Sequence, residues 1–354
     1  MKILALLVLL PILAPVRAHA SREEARLDGV EAYGTNRYDE AALRGLYEAR
    51  LKKWLAQDAL RNKSGRKAAA EAKAALEADF LKEGAFVRVI LQKVSSSTVG
   101  EVTAVFDVVE KADEERRLPF RAEPKGHGAD PEGLLAAWTR YTEAGWELMR
   151  SGAIGADRVE CPAYYCSWGA SNGELKALQD RFVAEVAAQK EALIAVLRGD
   201  ADSAKRSSAL YLLAYLRDPS QVNAAVSLGL TDPDDRVREA AMRVYSDMAV
   251  YRRDVALPVE KISEALDYPS VDDRTRALAV MIGLADHPLH REFVVKNAST
   301  QILRLLRLHN ASNHDMALTA LRMLTGQDFG RDNDAWDAWV QKMRLADGRE
   351  KKEK

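Results

Sequence analysis

The chain has 354 residues, 47% of them hydrophobic and 30% charged, with 52 basic side chains against 53 acidic ones. That apolar fraction supports a folded core, and the length allows two or three domains. The balanced charge argues against the basic footprint of a nucleic-acid binder or of a protein held on an anionic membrane.

The first twenty residues, MKILALLVLLPILAPVRAHA, place Lys2 before an apolar run, Ile3–Leu13, and end on the small residues Ala18 and Ala20 around His19. This is the pattern of a secretory signal peptide cleaved before Ser21. The run is too short, and too interrupted by Pro11 and Pro15, to span a bilayer. The mature chain is therefore expected in the periplasm or outside the cell, with no membrane insertion after cleavage. No Cys sits at the cleavage point, which argues against a lipoprotein.

Residues 21–39 are polar, with Gly29, Gly34 and Asn36, and read as a loose leader. Residues 40–160 read as a helical region with a small sheet. Leu43, Leu46, Tyr47, Leu51, Trp54 and Leu55 recur at helical spacing, and Asn62-Lys63-Ser64-Gly65 divides two helices, Glu40–Arg61 and Arg66–Lys82. Phe86–Val94 and Val102–Val109 are β-branched and aromatic, joined by a Ser/Thr/Gly turn, and predict an antiparallel hairpin within 85–122. Arg117–Ala122 is a candidate third strand, placed at the edge by Pro119. Asp130-Pro131-Glu132 opens a helix reaching Arg150.

Residues 161–173 contain both cysteines, Cys161 and Cys166, five positions apart. In an exported chain, a disulfide closing a small loop is the economical reading. The spacing departs from that of thioredoxin-like motifs, and too few ligands lie near for a metal. Tyr164, Tyr165 and Trp168 of this loop offer either a binding surface or a cover for the end of the structure that follows.

That structure occupies 174–326, after a long helix predicted over Leu175–Arg198. Four stretches share one frame: Asp202–Ala209, Asp234–Ala241, Asp272–Ala279 and Asn313–Ala320. Their starts are 32, 38 and 41 residues apart, a period that signals stacked helical units. The first position, Asp202, Asp234, Asp272 or Asn313, suits a helix N-cap. The fifth carries Arg206, Arg238 and Arg276, and then Ala317, so the fourth copy departs. The recurrence of Asp and Arg predicts a structural ladder between repeats, because stacked units need equivalent contacts.

The segment LTDPDDRVREAA, Leu230–Ala241, resembles the second-helix signature of HEAT repeats, including the variety in the phycobilin-lyase-like branch. The resemblance covers about 192–326 and extends to a closing element over 327–344, where Phe329, Trp336 and Trp339 would cover the last repeat. It implies a mainly α fold ending in an α-solenoid of about four helix pairs. It also implies a function in binding proteins, because HEAT repeats are predominantly scaffolds. Residues 345–354 form a charged tail.

The chain has no GxSxG, Walker, HExxH or dinucleotide fingerprint, and we expect neither a cofactor nor catalysis. His287 and His290 beside Asp286 resemble a ligand set, but Pro288 between them predicts a solvated turn. On a solenoid the outward residues of the second helices include Arg236, Glu239, Arg243, Arg274 and Arg322. That Arg-leaning set fits a protein or peptide partner with acidic patches. The alternative is an enzyme, or an enzyme accessory, lyase-like or binding a small molecule, whose active part is the N-terminal α+β region.

Overall fold

The computed structural model describes residues 25–60, 62–82, 85–96, 98–154, 161–170 and 172–350, with side chains to 344. The expected signal peptide lies outside the described residues. The chain is mainly helical, with one three-stranded mixed sheet.

The first element is a strand, β1 (Arg26–Tyr33), where the sequence suggested a loose leader. Its inward residues Leu27, Val30 and Tyr33 are buried, and the polar residues between them hid the pattern. Helices α1 (Glu40–Ala59) and α2 (Lys63–Leu81) form the expected hairpin, capped by Asp39 and Asn62. Strands β2 (Phe86–Ser95) and β3 (Glu101–Glu110) then pair antiparallel, and β1 joins β3 in parallel, giving the order β1-β3-β2. The third strand is thus β1. Arg117–Ala122 is not a strand: it follows a one-turn helix, α3 (Glu114–Arg117), and runs on as an irregular linker.

The sheet is a middle layer. One face packs on α1 and α2 through Leu43, Leu51, Leu76, Phe80, Leu91 and Phe106. The opposite face brings Val94 and Val105 onto Val271, far along the chain. With both faces covered, β3 is buried along almost its whole length, which explains its near-continuous apolar run. Both edges are blunted by carboxylates from the hairpin. Glu77 accepts from the Leu91 N–H at 2.8 Å and Glu40 from the Val30 N–H at 3.4 Å, which leaves fewer free ladder groups for a foreign strand. The chain leaves β1 through Gly34 at φ +97°, where a Cβ would collide with the Val108 carbonyl and the Arg117 guanidinium.

Beyond the linker come α4 (Leu134–Arg150), α5 (Gly173–Glu185) and α6 (Lys190–Gly199). The single long helix expected over Leu175–Arg198 is therefore two, turning between Val186 and Gln189. No Gly or Pro marks the turn; Phe182, Val186 and Leu193 are all fully buried around it, so tertiary packing sets the break. Then follow α7 (Ser203–Leu213), α8 (Pro219–Val226), α9 (Asp235–Tyr251), α10 (Val259–Glu264), α11 (Val271–Leu284), the short α12 (Arg291–Phe293), α13 (Ser299–Leu306) and α14 (Ala311–Thr325). Helices α7, α9, α11 and α14 pack on one another in that order. The last helix, α15 (Asn333–Glu350), buries Trp336 against Phe329 and continues into the stretch expected as a charged tail.

The linker has a path that the strand reading missed. Arg117 donates to the Asp267 carbonyl, the Arg121 N–H to the Thr231 carbonyl, and the Gly126 N–H to the Gly199 carbonyl. It therefore crosses the turns before α11, α9 and α7 in reverse chain order, carrying the chain from the sheet back to the first repeat.

His287 and His290 are buried, not solvated, and their rings lie 4.8 Å apart. His287 Nδ1 accepts from the Leu289 N–H at 3.2 Å, and His290 Nε2 accepts from the Leu257 N–H at 2.9 Å. Both rings thus serve as neutral acceptors. Burial lowers both pKa values, with Arg253 adding to the effect at His287 and His287 adding to it at His290; Asp286 and Glu260 oppose them. A depressed folded pKa gives stability that is present above the ordinary histidine value and lost as pH falls through the folded one. Urea unfolding should therefore show stability falling from pH 7.5 to pH 5. The His287→Asn/His290→Gln double variant, which keeps an acceptor at each place, should show a smaller fall.

Candidate functional site

The second helices carry two sets of charged residues, one buried and one exposed, and the structure assigns them differently from the sequence. The helix N-caps are Asp202, Asp234, Ser270 and Asn310. Counting from these caps, the spacings are 32, 36 and 40 residues. The third copy thus starts two residues earlier than expected and the fourth three. The seventh residue after each cap is then Ala209, Ala241, Ala277 or Ala317, all fully buried where adjacent helices meet. The fourth is Arg206, Arg238, Arg274 or His314.

These arginines are the ladder. Arg206 donates Nε and Nη2 to Asp232 at 3.0 and 2.7 Å, and Nη1 to the carbonyls of Asp200 and Ala201. Arg238 repeats the pattern, clamping Asp273 at 3.0 and 2.7 Å and the carbonyls of Asp232 and Pro233. Bidentate geometry with the remaining donors on carbonyls is what a buried guanidinium requires. Arg274 donates Nε to the Asn313 side-chain oxygen at 2.9 Å and Nη1 to the Tyr268 carbonyl at 2.8 Å. Asn313 is a neutral amide, and the missing carboxylate comes from Asp107 of β3, 2.5 Å from Arg274 Nη1.

Both members of this third pair are fully buried. Burial pushes the Asp107 carboxyl up, and the Arg274 charge pulls it back. The Tyr33 ring lies 3.9 Å from the Arg274 guanidinium, and the Tyr33 hydroxyl donates to Asp267 at 2.7 Å. Arg274, expected on the outward surface, is therefore removed from it. Asp272 and Arg276, expected in the ladder, are not part of it. Asp272 is exposed, and Arg276 donates to Glu239 at 2.8 Å on the surface. Asp202 and Asp234 act as caps, and Asn313 is the amide rung of the ladder. Sequence reasoning missed Asp232, Asp273 and Asp107. A lone acid inside the apolar run VTAVFDVV was the signal for Asp107.

The exposed set lies on α9, α11 and α14. Along α9, Arg236, Glu239, Arg243 and Asp247 form one stripe that reaches solvent, with Asp235 exposed beside it. Glu239 accepts from Arg243 and from Arg276 on the next helix, both at 2.8 Å. Burial would raise the Glu239 carboxyl, but these two arginines outweigh it and hold it below the ordinary value. One carboxylate thus fixes two guanidiniums, with the exposed carboxylates of Asp235 and Asp272 nearby. Arg322 on α14 stands apart and pairs with Asp328 at 2.8 Å.

The Cys161–Cys166 disulfide is formed, and its loop covers the C-terminal half of the corresponding stripe of α7, at Tyr211 and Tyr215. Tyr211 of α7 stacks on both Tyr165 and Trp138, with centroids 4.9 and 5.2 Å away. Trp168 lies so close to Gly145 of α4 that a Cβ there would meet the indole at 2.2 Å. Gln179 donates to the Trp168 carbonyl and to the Tyr141 hydroxyl, both at 2.9 Å. The loop is thus locked onto α4, α5 and α7.

Among the described residues there is no group of three or more metal-ligating side chains, and no helix is long and apolar enough to cross a membrane. No protein-family model matches the chain, and a search of curated proteins found no match.

The reassigned frame has a direct consequence for stability. Arg274→Ala leaves Asp107 buried and uncompensated and should cost about 3–5 kcal/mol. Arg276→Ala, two residues away on the surface, should stay within about 0.5 kcal/mol of the parent. Denaturant unfolding of the two variants checks both values.

Proposed function

We propose that this chain is an exported, non-catalytic scaffold of HEAT-like repeats that holds a protein or peptide partner on the exposed stripe of α9 and α11. The observation that carries this reading is the group formed by Arg243, Glu239 and Arg276, with Arg236 one turn away. The ladder arginines are buried, so these three guanidiniums are the ones placed to meet acidic side chains of a partner. Arg243 and Arg276 are held by Glu239 before any partner arrives, which lowers the ordering cost of binding.

Further support comes from the rest of the chain. The successive packing of α7, α9, α11 and α14 fits the repeat resemblance, and the apolar leader and the disulfide fit export. The N-terminal sheet is covered on both faces, which favours a working surface on the helices that follow over one on the sheet.

The test is capture of a partner from the envelope fraction of the source cell by immobilised protein and by the Arg236→Glu/Arg243→Glu/Arg276→Glu variant. The parent should retain one dominant protein, released by raised salt, and the variant should lose it while keeping its unfolding midpoint. Equal capture by the two proteins would overturn the reading.

A further inference from the structure

A second feature lies outside that arginine group. Between the disulfide loop and the C-terminal ends of α7 and α9 is a half-open cavity of about 540 Å³. This volume lies within the range of small-molecule sites. The Cys161–Cys166 disulfide is part of its wall, so covalent closure of the loop sets its shape. Its chemistry is two-sided. Tyr164, Tyr215 and Tyr251 supply aromatic surface, and Arg217 and Arg252 supply guanidinium groups.

The wall is held in place before any ligand arrives. The Tyr164 N–H donates to the Ala214 carbonyl at 3.0 Å and its hydroxyl to the Arg217 carbonyl at 3.1 Å. The Arg252 guanidinium lies 4.4 Å from the Tyr164 ring, with Nε 3.4 Å from the exposed carboxylate of Asp254. That single long bond leaves the rest of the guanidinium fork free of ion pairs among the described residues. Arg217 makes no ion pair among the described residues. The acidic residue on this wall, Asp247, already has an interaction of its own.

We propose that this cavity binds a carboxylate carried on an aromatic or aliphatic group. The tyrosine rings would cover the apolar body, and the two arginines would take the carboxylate, which matches the planar guanidinium fork. A free organic acid and the C-terminal residue of a peptide share this chemistry. Asp247 and Tyr251 continue the α9 stripe beyond Arg243 at i+4 and i+8, so a peptide terminus could belong to a partner lying on that stripe. The binding of a carboxylate does not depend on that partner.

The probes are 4-fluorobenzoate, its neutral analogue 4-fluorobenzamide, and N-acetylglycyl-4-fluorophenylalanine with a free carboxylate, followed by fluorine NMR on the disulfide-intact protein. A carboxylate probe should bind saturably with a Kd of about 1 mM or tighter, with the benzoate at least about tenfold tighter than the benzamide. The Arg217→Gln/Arg252→Gln variant should lose at least about tenfold in affinity, and Tyr251→Ala should weaken both carboxylates without changing the unfolding midpoint. The Arg236→Glu/Arg243→Glu/Arg276→Glu variant should bind as the parent does, which separates this site from the scaffold reading. A dipeptide at least about tenfold tighter than the benzoate would identify a peptide terminus, and equal or weaker binding a free acid. The proposal is overturned if the benzamide matches the benzoate, if the double arginine variant keeps full affinity, or if neither carboxylate saturates.

Discussion

The ion pair between Arg274 and Asp107 decides how the two halves of this chain fit together. A guanidinium buried between stacked helices must find a carboxylate and satisfy its remaining donors on carbonyls, because an unpaired buried charge costs several kcal/mol. The first two rungs, Arg206–Asp232 and Arg238–Asp273, meet that demand within the repeats. The third cannot, because α14 offers Asn313. Asp107 fills the gap from the centre of the sheet, and with it come Tyr33 over the guanidinium and Val94 and Val105 on Val271.

Several other features follow from that placement. With the sheet docked at the turns before α11 and α14, the chain must travel back to begin the first repeat, and residues 117–128 make the journey. Phe120 lies edge-on to Tyr268 and 4.1 Å from the Arg238 guanidinium, and Arg121 reaches Asp232, so the linker closes the ladder from outside. The driving force for the packing is apolar burial in a core that runs from α4 to α15. The ion pairs contribute register: each fixes which residue of one helix faces which residue of the next. On α7, the disulfide loop and α4 cover the C-terminal half of the equivalent stripe, at Tyr211 and Tyr215, and the surface arginines of α9 and α11 stay accessible.

Much of this was legible in the sequence. The helical hairpin, the β2–β3 pair, the first two repeat frames and the pairing of the two cysteines follow from local patterns. The frame failed in the third and fourth copies for a physical reason. Asp272 and Asn313 are as good capping residues as Ser270 and Asn310, and only the folded caps and the inward turn of Arg274 separate the registers. Arg274 and Arg276 are two residues apart on one helix, and the shifted frame exchanged their roles. Strand β1 was hidden because its inward residues are few and its partner, β3, lies some seventy residues away. Buried histidines serving as neutral acceptors, like Asp107 inside an apolar strand, depend on partners that no local pattern names.

The central claim is that Asp107 stands in for a carboxylate that α14 lacks, and a double-mutant cycle tests it directly. The stability loss on Asp107→Asn would be measured by denaturant unfolding in the parent and in the Asn313→Asp background. In that background Arg274 has an acid on the neighbouring helix, so the loss should shrink, giving a coupling of about 2 kcal/mol or more. An equal loss in both backgrounds would show that Asp107 acts independently of the rung at Asn313, and would contradict the account.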